Sequence, residues 1–215
     1  MSIKAVLFDL DGTLLNTLPD LHNITNITLR QLGYPERSMD EVRLFIGNGV
    51  RLLISRALPE GAEMTEEIFN RMNENYLANQ NKLSVKYEGI DEMLFALQKS
   101  GIHCAIVSNK PDAAAQVVTD LYFKDYIEFT SGQRADKNKK PHPDLCNMAM
   151  DFLQVKPEEC VYVGDSDTDI ETGDNAGMET LACTWGFRGE EFLKAAGAKH
   201  IVRTPAEITE YVLTH

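Results

Sequence analysis

Short, unbroken apolar runs alternate along most of the chain with segments of helical spacing. The runs cover residues 3–8, 102–108, 127–130, 160–164 and 179–184. Runs this short and this continuously apolar suit strands buried on both faces of a parallel sheet. Between them, helical patterns cover 88–100, 111–122, 143–153 and 167–176, and Gly101 stands just past the first, where helices commonly end on glycine. A last amphipathic stretch, 204–213, reads as a packing helix with Pro205 near its start. The alternation predicts an α/β fold: a Rossmann-like open parallel sheet with helices on both faces.

One stretch breaks the alternation. Residues 17–83 contain no convincing strand; apolar residues instead recur at helical spacing, as in Leu18, Leu21, Ile24 and Leu29, then Leu52 and Leu53, then Ile68, Met72 and Tyr76. The expected organisation is an α/β core from 1–16 and 84–215, with a helical unit over 17–83 inserted directly after the first strand.

Composition narrows the partners. The 215 residues carry 33 acids against 21 bases, a formal net charge of −12. Such a chain is repelled by nucleic-acid phosphates and by anionic membranes, so neither is expected as a partner. No apolar run reaches membrane-spanning length, and Asp9 and Asp11 interrupt the N-terminal one, so no leader is read there. Cys104, Cys146, Cys160 and Cys183 form no CxxC pair and read as reduced, buried thiols of a cytoplasmic protein.

Four short segments fall at the ends of these runs, the edge of an open α/β sheet where ligands bind. Asp9-Leu10-Asp11-Gly12-Thr13 offers two acids on one side of an extended segment, suited to holding Mg²⁺ or to acting as nucleophile and general acid, or simply to a turn. Ser108-Asn109-Lys110-Pro111 offers a hydroxyl, an amide and backbone N–H groups, either for an anion or as a helix cap. Lys140 in Lys140-Pro141-His142-Pro143 can neutralise a phosphoryl group or belong to a solvated basic loop with Arg134, Lys137 and Lys139. Asp165, Asp167, Asp169, Glu171 and Asp174 crowd one segment without a base, a repulsion that a bound cation or a helix dipole relieves.

Taken in order, Asp9-x-Asp11-Gly12-Thr13, Ser108, Lys140 and Gly164-Asp165-x-x-x-Asp169 resemble the motifs of the haloacid dehalogenase-like superfamily, in the branch with a helical cap after the first motif. Ile46-Gly47-Asn48-Gly49 and Ser108-Asn109-Lys110-Pro111 resemble its phosphoglycolate phosphatases. The resemblance implies an Mg²⁺-dependent phosphatase acting on a small phosphorylated metabolite, with 2-phosphoglycolate favoured. It implies Asp9 as nucleophile, Asp11 as acid and base, and Mg²⁺ held by Asp9, the Asp11 carbonyl and Asp165. Ser108, Asn109 and Lys140 would bind the phosphoryl group, and Asp169 would orient Lys140 or a metal-bound water. Gly47, Asn48 and Gly49 open a helix, where their N–H groups can read a substrate carboxylate or the glycines can simply shape a loop between helices. The second aspartate favours phosphoryl chemistry over carbon–halogen cleavage. Many members carry an aspartate where this chain has Asn16. Pyrophosphate, a nucleotide or a sugar phosphate as substrate, phosphomutase activity, and an idle binding protein are the competing readings. A monomer or homodimer is expected.

Overall fold

A computed structural model describes residues 2–215. The chain opens with β1 (Ala5–Phe8) and β2 (Leu15–Asn16), then enters four helices, α1 (Leu18–Gln31), α2 (Met39–Phe45), α3 (Val50–Ala57) and α4 (Glu66–Asn79). It returns through β3 (Val85–Lys86) to α5 (Ile90–Lys99), β4 (His103–Pro111), α6 (Asp112–Tyr122) and β5 (Phe129–Gln133). The remainder is α7 (Asp144–Leu153), β6 (Cys160–Gly164), α8 (Asp167–Ala176), β7 (Glu179–Cys183), α9 (Glu190–Ala195), β8 (His200–Val202) and α10 (Pro205–Thr214). The fold separates into two compact units, one running to Leu15 and resuming over Lys86–His215, the other Asn16–Val85. β2 and β3 pair as a two-stranded sheet.

The larger unit is built on a six-stranded sheet in the order β5-β4-β1-β6-β7-β8, every pairing parallel. β1 sits inside it, pairing Phe8 with Ile106 on one side and with Val163 on the other. Its four residues are fully buried and alternate between two cores. Val6 and Phe8 join Met93 and Leu97 of α5, Val118 of α6 and Ile208 of α10. Ala5 and Leu7 join Leu145 and Ala149 of α7. A strand with period-two side chains and apolar residues at every position can be buried only between two helical layers. Truncating Phe8 to Ala there would cost about 3–5 kcal/mol.

The open parallel sheet read from the sequence is present, with three differences. There is a sixth strand, β8, whose three residues are too short to register as an apolar run. The run at 127–130 is displaced: Ile127 packs in the core ahead of the strand, and β5 continues through Ser131 and Gly132. β4 extends to Pro111, so α6 starts at Asp112 with no side chain capping its first turn.

The helical unit packs α1 against α4 and α2. Asn75 of α4 donates to the Thr28 hydroxyl and the Gln31 side chain of α1. Buried Asp20 accepts from the backbone N–H groups of Lys82, Leu83 and Ser84, which fixes the returning chain to α1. Ser38 and Glu41 form a capping box at α2, and Thr65 caps α4. Arg51 forms a two-bond pair with Glu66, and Arg56 binds the Phe45 carbonyl and the Asn48 side chain. No helix is long and apolar enough to cross a membrane among the described residues. All four cysteines are free and buried, and burial pushes the thiols of Cys104, Cys146 and Cys160 up to about 12.

Candidate active site

Parallel strands deliver their following residues to one edge of the sheet, and the strand order reverses direction at β1. Asp9 follows β1, Ser108, Asn109 and Lys110 end β4, and Asp165 follows β6. All belong to the larger unit, as do Lys140 and Asp169.

Lys140 is at the centre of the buried part. Its Nζ lies 2.7 Å from Asp9 Oδ1, 2.8 Å from Asp169 Oδ1 and 2.9 Å from the Tyr162 hydroxyl. Only 3 % of its side chain is exposed, while Arg134, Lys137 and Lys139 are exposed, so Lys140 is not part of a solvated basic loop. Burial opposes its charge, but Asp169 and Asp9 outweigh burial and hold its pKa above the ordinary lysine value. Asp9 is treated differently. Burial raises its carboxyl to about 7; Lys140 pulls it down, and Asp169 and Asp11 push it up. The second oxygen of Asp9, Oδ2, receives no hydrogen bond from the described residues.

Asp165 faces the same space. Its Oδ2 accepts the Phe187 N–H at 2.7 Å and its Oδ1 accepts the Thr13 hydroxyl at 3.4 Å. Burial, followed by the charges of Asp169 and Asp9, raises its pKa well above the ordinary carboxylate value. Gly12 makes the approach possible: its φ is +96°, and a Cβ there would lie 2.6 Å from Asp165 Oδ2.

The acidic segment divides. Asp169, third residue of α8, completes a capping box with Ser166, and its Oδ2 accepts from the N–H groups of Asp165 and Ser166 and from the Ser166 hydroxyl. Its Oδ1 holds Lys140, so both oxygens are engaged. Glu171 and Asp174 are exposed, Asp174 paired with Lys199. Ligand atoms of Asp9, Asp165 and Asp169 lie within 4.8 Å of one another. Asp169 is paired with the Lys140 ammonium, whereas Asp165 accepts only from neutral donors and Asp9 keeps Oδ2 without a hydrogen bond, so Asp9 and Asp165 are the side chains better placed to hold a cation. Two buried carboxylates with raised pKa values and hard oxygen donors fit a divalent ion such as Mg²⁺.

The β4 end is arranged around lysines. Asn109 spends its amide on the Lys140 backbone, accepting its N–H at 2.8 Å and donating to its carbonyl at 3.2 Å, so its side chain positions Lys140 rather than lying open to an anion. Ser108 is buried, and its hydroxyl accepts the Lys110 N–H. Lys110 sets its Nζ 3.0 and 3.1 Å from the two oxygens of Asp11. The Asp11 side chain is therefore paired with a lysine, and its charge is felt at Asp9. Gly47, Asn48 and Gly49 lie in the helical unit, where positive φ values at both glycines lead into α3 and Asn48 accepts from Arg56.

Two participants were not legible as such. Tyr162 is the one polar side chain in the run Cys-Val-Tyr-Val-Gly; its hydroxyl touches Lys140, Asp169 and the Val107 carbonyl. A hydroxyl inside an otherwise apolar strand was the available signal. Lys110 read equally as a cap residue or a substrate contact, and its partner lies 99 residues away.

This geometry of paired aspartates, a buried lysine and a third carboxylate at the sheet edge is that of a phosphoryl-group hydrolase site. Residues 6–183 match the haloacid dehalogenase-like hydrolase family. The chain is 32% identical to a phosphoglycolate phosphatase of Vibrio vulnificus (strain YJ016) over 98% of its own length and 96% of that protein's. It is 34% identical to a phosphoglycolate phosphatase of Aquifex aeolicus over 86% of each chain. A crystal structure from Lactobacillus delbrueckii subsp. bulgaricus superposes with a TM-score of 0.90 at 31% identity, covering 100% of both chains. The chain belongs to the haloacid dehalogenase-like hydrolases, and its relatives group it with the phosphoric monoester hydrolases of that family.

Proposed function

We propose that the protein is a cytoplasmic, Mg²⁺-dependent phosphatase, monomeric or dimeric, that hydrolyses a small phosphate monoester through an aspartyl-phosphate, with 2-phosphoglycolate as the favoured substrate. The observation that carries the reading is Asp9 itself: Lys140 occupies one carboxylate oxygen and leaves Oδ2 without a hydrogen bond. Oδ2 attacks phosphorus, the bond from phosphorus to the substrate oxygen breaks, and Asp11 gives that oxygen its proton. Asp11 then takes a proton from the water that displaces Asp9 and releases phosphate. Lys140 and the buried Ser108 hydroxyl serve the phosphoryl oxygens, while Asp169 and Asn109 hold Lys140 in place. Mg²⁺, held by Asp9, Asp165 and the Asp11 carbonyl, supplies positive charge to the phosphoryl oxygens.

Lys110 favours a substrate with a second anionic group. While it binds both oxygens of Asp11, it occupies the carboxylate that the acid–base role needs. A substrate carboxylate gives Lys110 another partner and frees Asp11. Within this reading Gly47, Asn48 and Gly49 are the part of the helical unit assigned to substrate choice.

The test is a panel of 2-phosphoglycolate, pyrophosphate, nucleoside monophosphates and sugar phosphates, assayed with Mg²⁺ for released phosphate. The highest kcat/KM is expected for 2-phosphoglycolate. Equal or higher values elsewhere reassign the substrate, and release from none of them removes the phosphatase reading.

A further inference from the structure

A second cavity, of about 860 Å³, lies in the larger unit between α5 and α10. Its size is within the roughly 300–1,000 Å³ range of small-molecule sites. Its walls are apolar and aromatic: Met93 and Ala96 from α5, Pro205 and Ala206 from α10, and the partly buried rings of Tyr87 and Trp185.

The charge around it is one-sided. Glu88, Glu92 and Glu210 line it, and none of their carboxylates has a hydrogen bond or ion pair from the described residues. Arg203, the only base in the lining, is committed to Glu190 at 3.0 and 2.7 Å. The lining therefore carries three uncompensated carboxylates alongside two aromatic rings, which is complementary to an organic cation.

The cavity shares a wall with the candidate active site. The Trp185 indole N–H donates to the Thr13 carbonyl at 2.9 Å. The next two residues seat Asp165: Gly186 packs so closely that a Cβ would lie 2.3 Å from the Asp165 Cβ, and Phe187 donates its N–H. On the other wall, Tyr87 N–H donates to the Leu14 carbonyl.

We propose that the α5–α10 cavity is an effector site for a small organic cation with an apolar body, and that its occupant acts on the Thr13–Asp165 region through Trp185. The apolar body lies against Met93, Ala96 and Pro205, and the cationic head lies between the rings and Glu88, Glu92 and Glu210. Occupancy restricts the loop 185–187, and a ligand that prefers one arrangement of that loop changes turnover by the same preference.

Trp185 is the only tryptophan in the chain, so its fluorescence reads the cavity directly. The probe is 4-phenylbutylammonium, compared with 4-phenylbutanol and 4-phenylbutanoate. The cation is expected to change the emission saturably and to bind about tenfold more tightly than the carboxylate, with the alcohol between them. E92Q/E210Q weakens the cation severalfold and leaves the alcohol unchanged. Ala96→Phe fills the cavity and abolishes the response, with far-ultraviolet circular dichroism unchanged. Turnover of the best ester in the panel is expected to change about fivefold at saturating cation in the wild type and not in Ala96→Phe. No saturable response, equal binding of the three probes, or unaltered binding in E92Q/E210Q overturns the site. Binding without a change in turnover overturns its coupling to Thr13 and Asp165. The fluorescence measurement needs no turnover, so its failure is distinct from failure of the phosphatase reading.

Discussion

Lys110 holds Asp11 by both carboxylate oxygens, 3.0 and 3.1 Å from Nζ, with only 4 % of the lysine side chain exposed. This pair separates the two aspartates of the first motif. Asp9 has one oxygen without a hydrogen bond from the described residues, whereas both oxygens of Asp11 are engaged by the lysine. Replacing Lys110 by Met removes the partner proposed for a substrate carboxylate. The kcat/KM for 2-phosphoglycolate is expected to fall about 10–100-fold, and that for an ester with no second anion, such as ethyl phosphate, by much less. An equal loss on both substrates would show that Lys110 serves Asp11 alone.

Asp9→Asn keeps the shape of the side chain and removes the nucleophile that the proposed reaction requires. Turnover is expected to drop by at least about a thousandfold while the far-ultraviolet circular dichroism is unchanged, because Asp169 still pairs with Lys140. Phosphate release near the wild-type rate would sink the aspartyl-phosphate route.

Tyr162→Phe tests the buried hydroxyl. It leaves Lys140 and Asp169 one partner short each at no change in ring volume. A loss of about 1–3 kcal/mol in urea unfolding is expected. Stability equal to the wild type would mean that the hydroxyl contributes nothing to holding Lys140.

The pH dependence of metal stabilisation follows from Asp9. Its folded-state pKa of about 7 is above the ordinary value of 3.8, so the folded, metal-free protein binds a proton that the unfolded chain releases. Metal-free stability therefore falls as pH rises from the unfolded pKa through about 7. Mg²⁺ requires the ionised form and offsets that loss. The rise in Tm on adding millimolar MgCl₂ is expected to be small at pH 5 and to grow to pH 8. A rise independent of pH would place the ion elsewhere.

Gly12→Ala combines an unfavourable φ of +96° with a methyl group 2.6 Å from Asp165 Oδ2. Calorimetry is expected to show loss of Mg²⁺ binding, with a fall in stability of about 1–3 kcal/mol. Retained affinity would separate Asp165 from the metal.

The sheet was legible because β1 is apolar at every position and β6 at all but Tyr162, a pattern that only a doubly covered strand satisfies. β8 was not, because three residues carry no period. Asp9 and Asp165 could be picked out as polar residues placed where strands end, and Lys140 as a base held before a rigid Pro141-His142-Pro143 turn. The engagement of Asp169 by Ser166 and Lys140, the clasp of Asn109 on Lys140 and the pairing of Lys110 with Asp11 depend on contacts across 3 to 99 residues of sequence. Residue type limits such partners but does not choose among them. For the same reason the crowding of five acids in one segment left a bound cation and a helix dipole both open, whereas in the fold Asp165 and Asp169 face the site and Asp174 pairs outward with Lys199.

The position of β1 has a consequence for synthesis on the ribosome. The strand that carries Asp9 is made first, yet its two neighbours begin at His103 and Cys160. A nascent chain has Asp9 within its first ten residues and cannot enclose it until three quarters of the protein has been translated. Until then Asp9 follows an apolar strand that lacks at least its β6 neighbour. Chains that terminate before β6 are thus expected to be inactive and exposed to aggregation along β1.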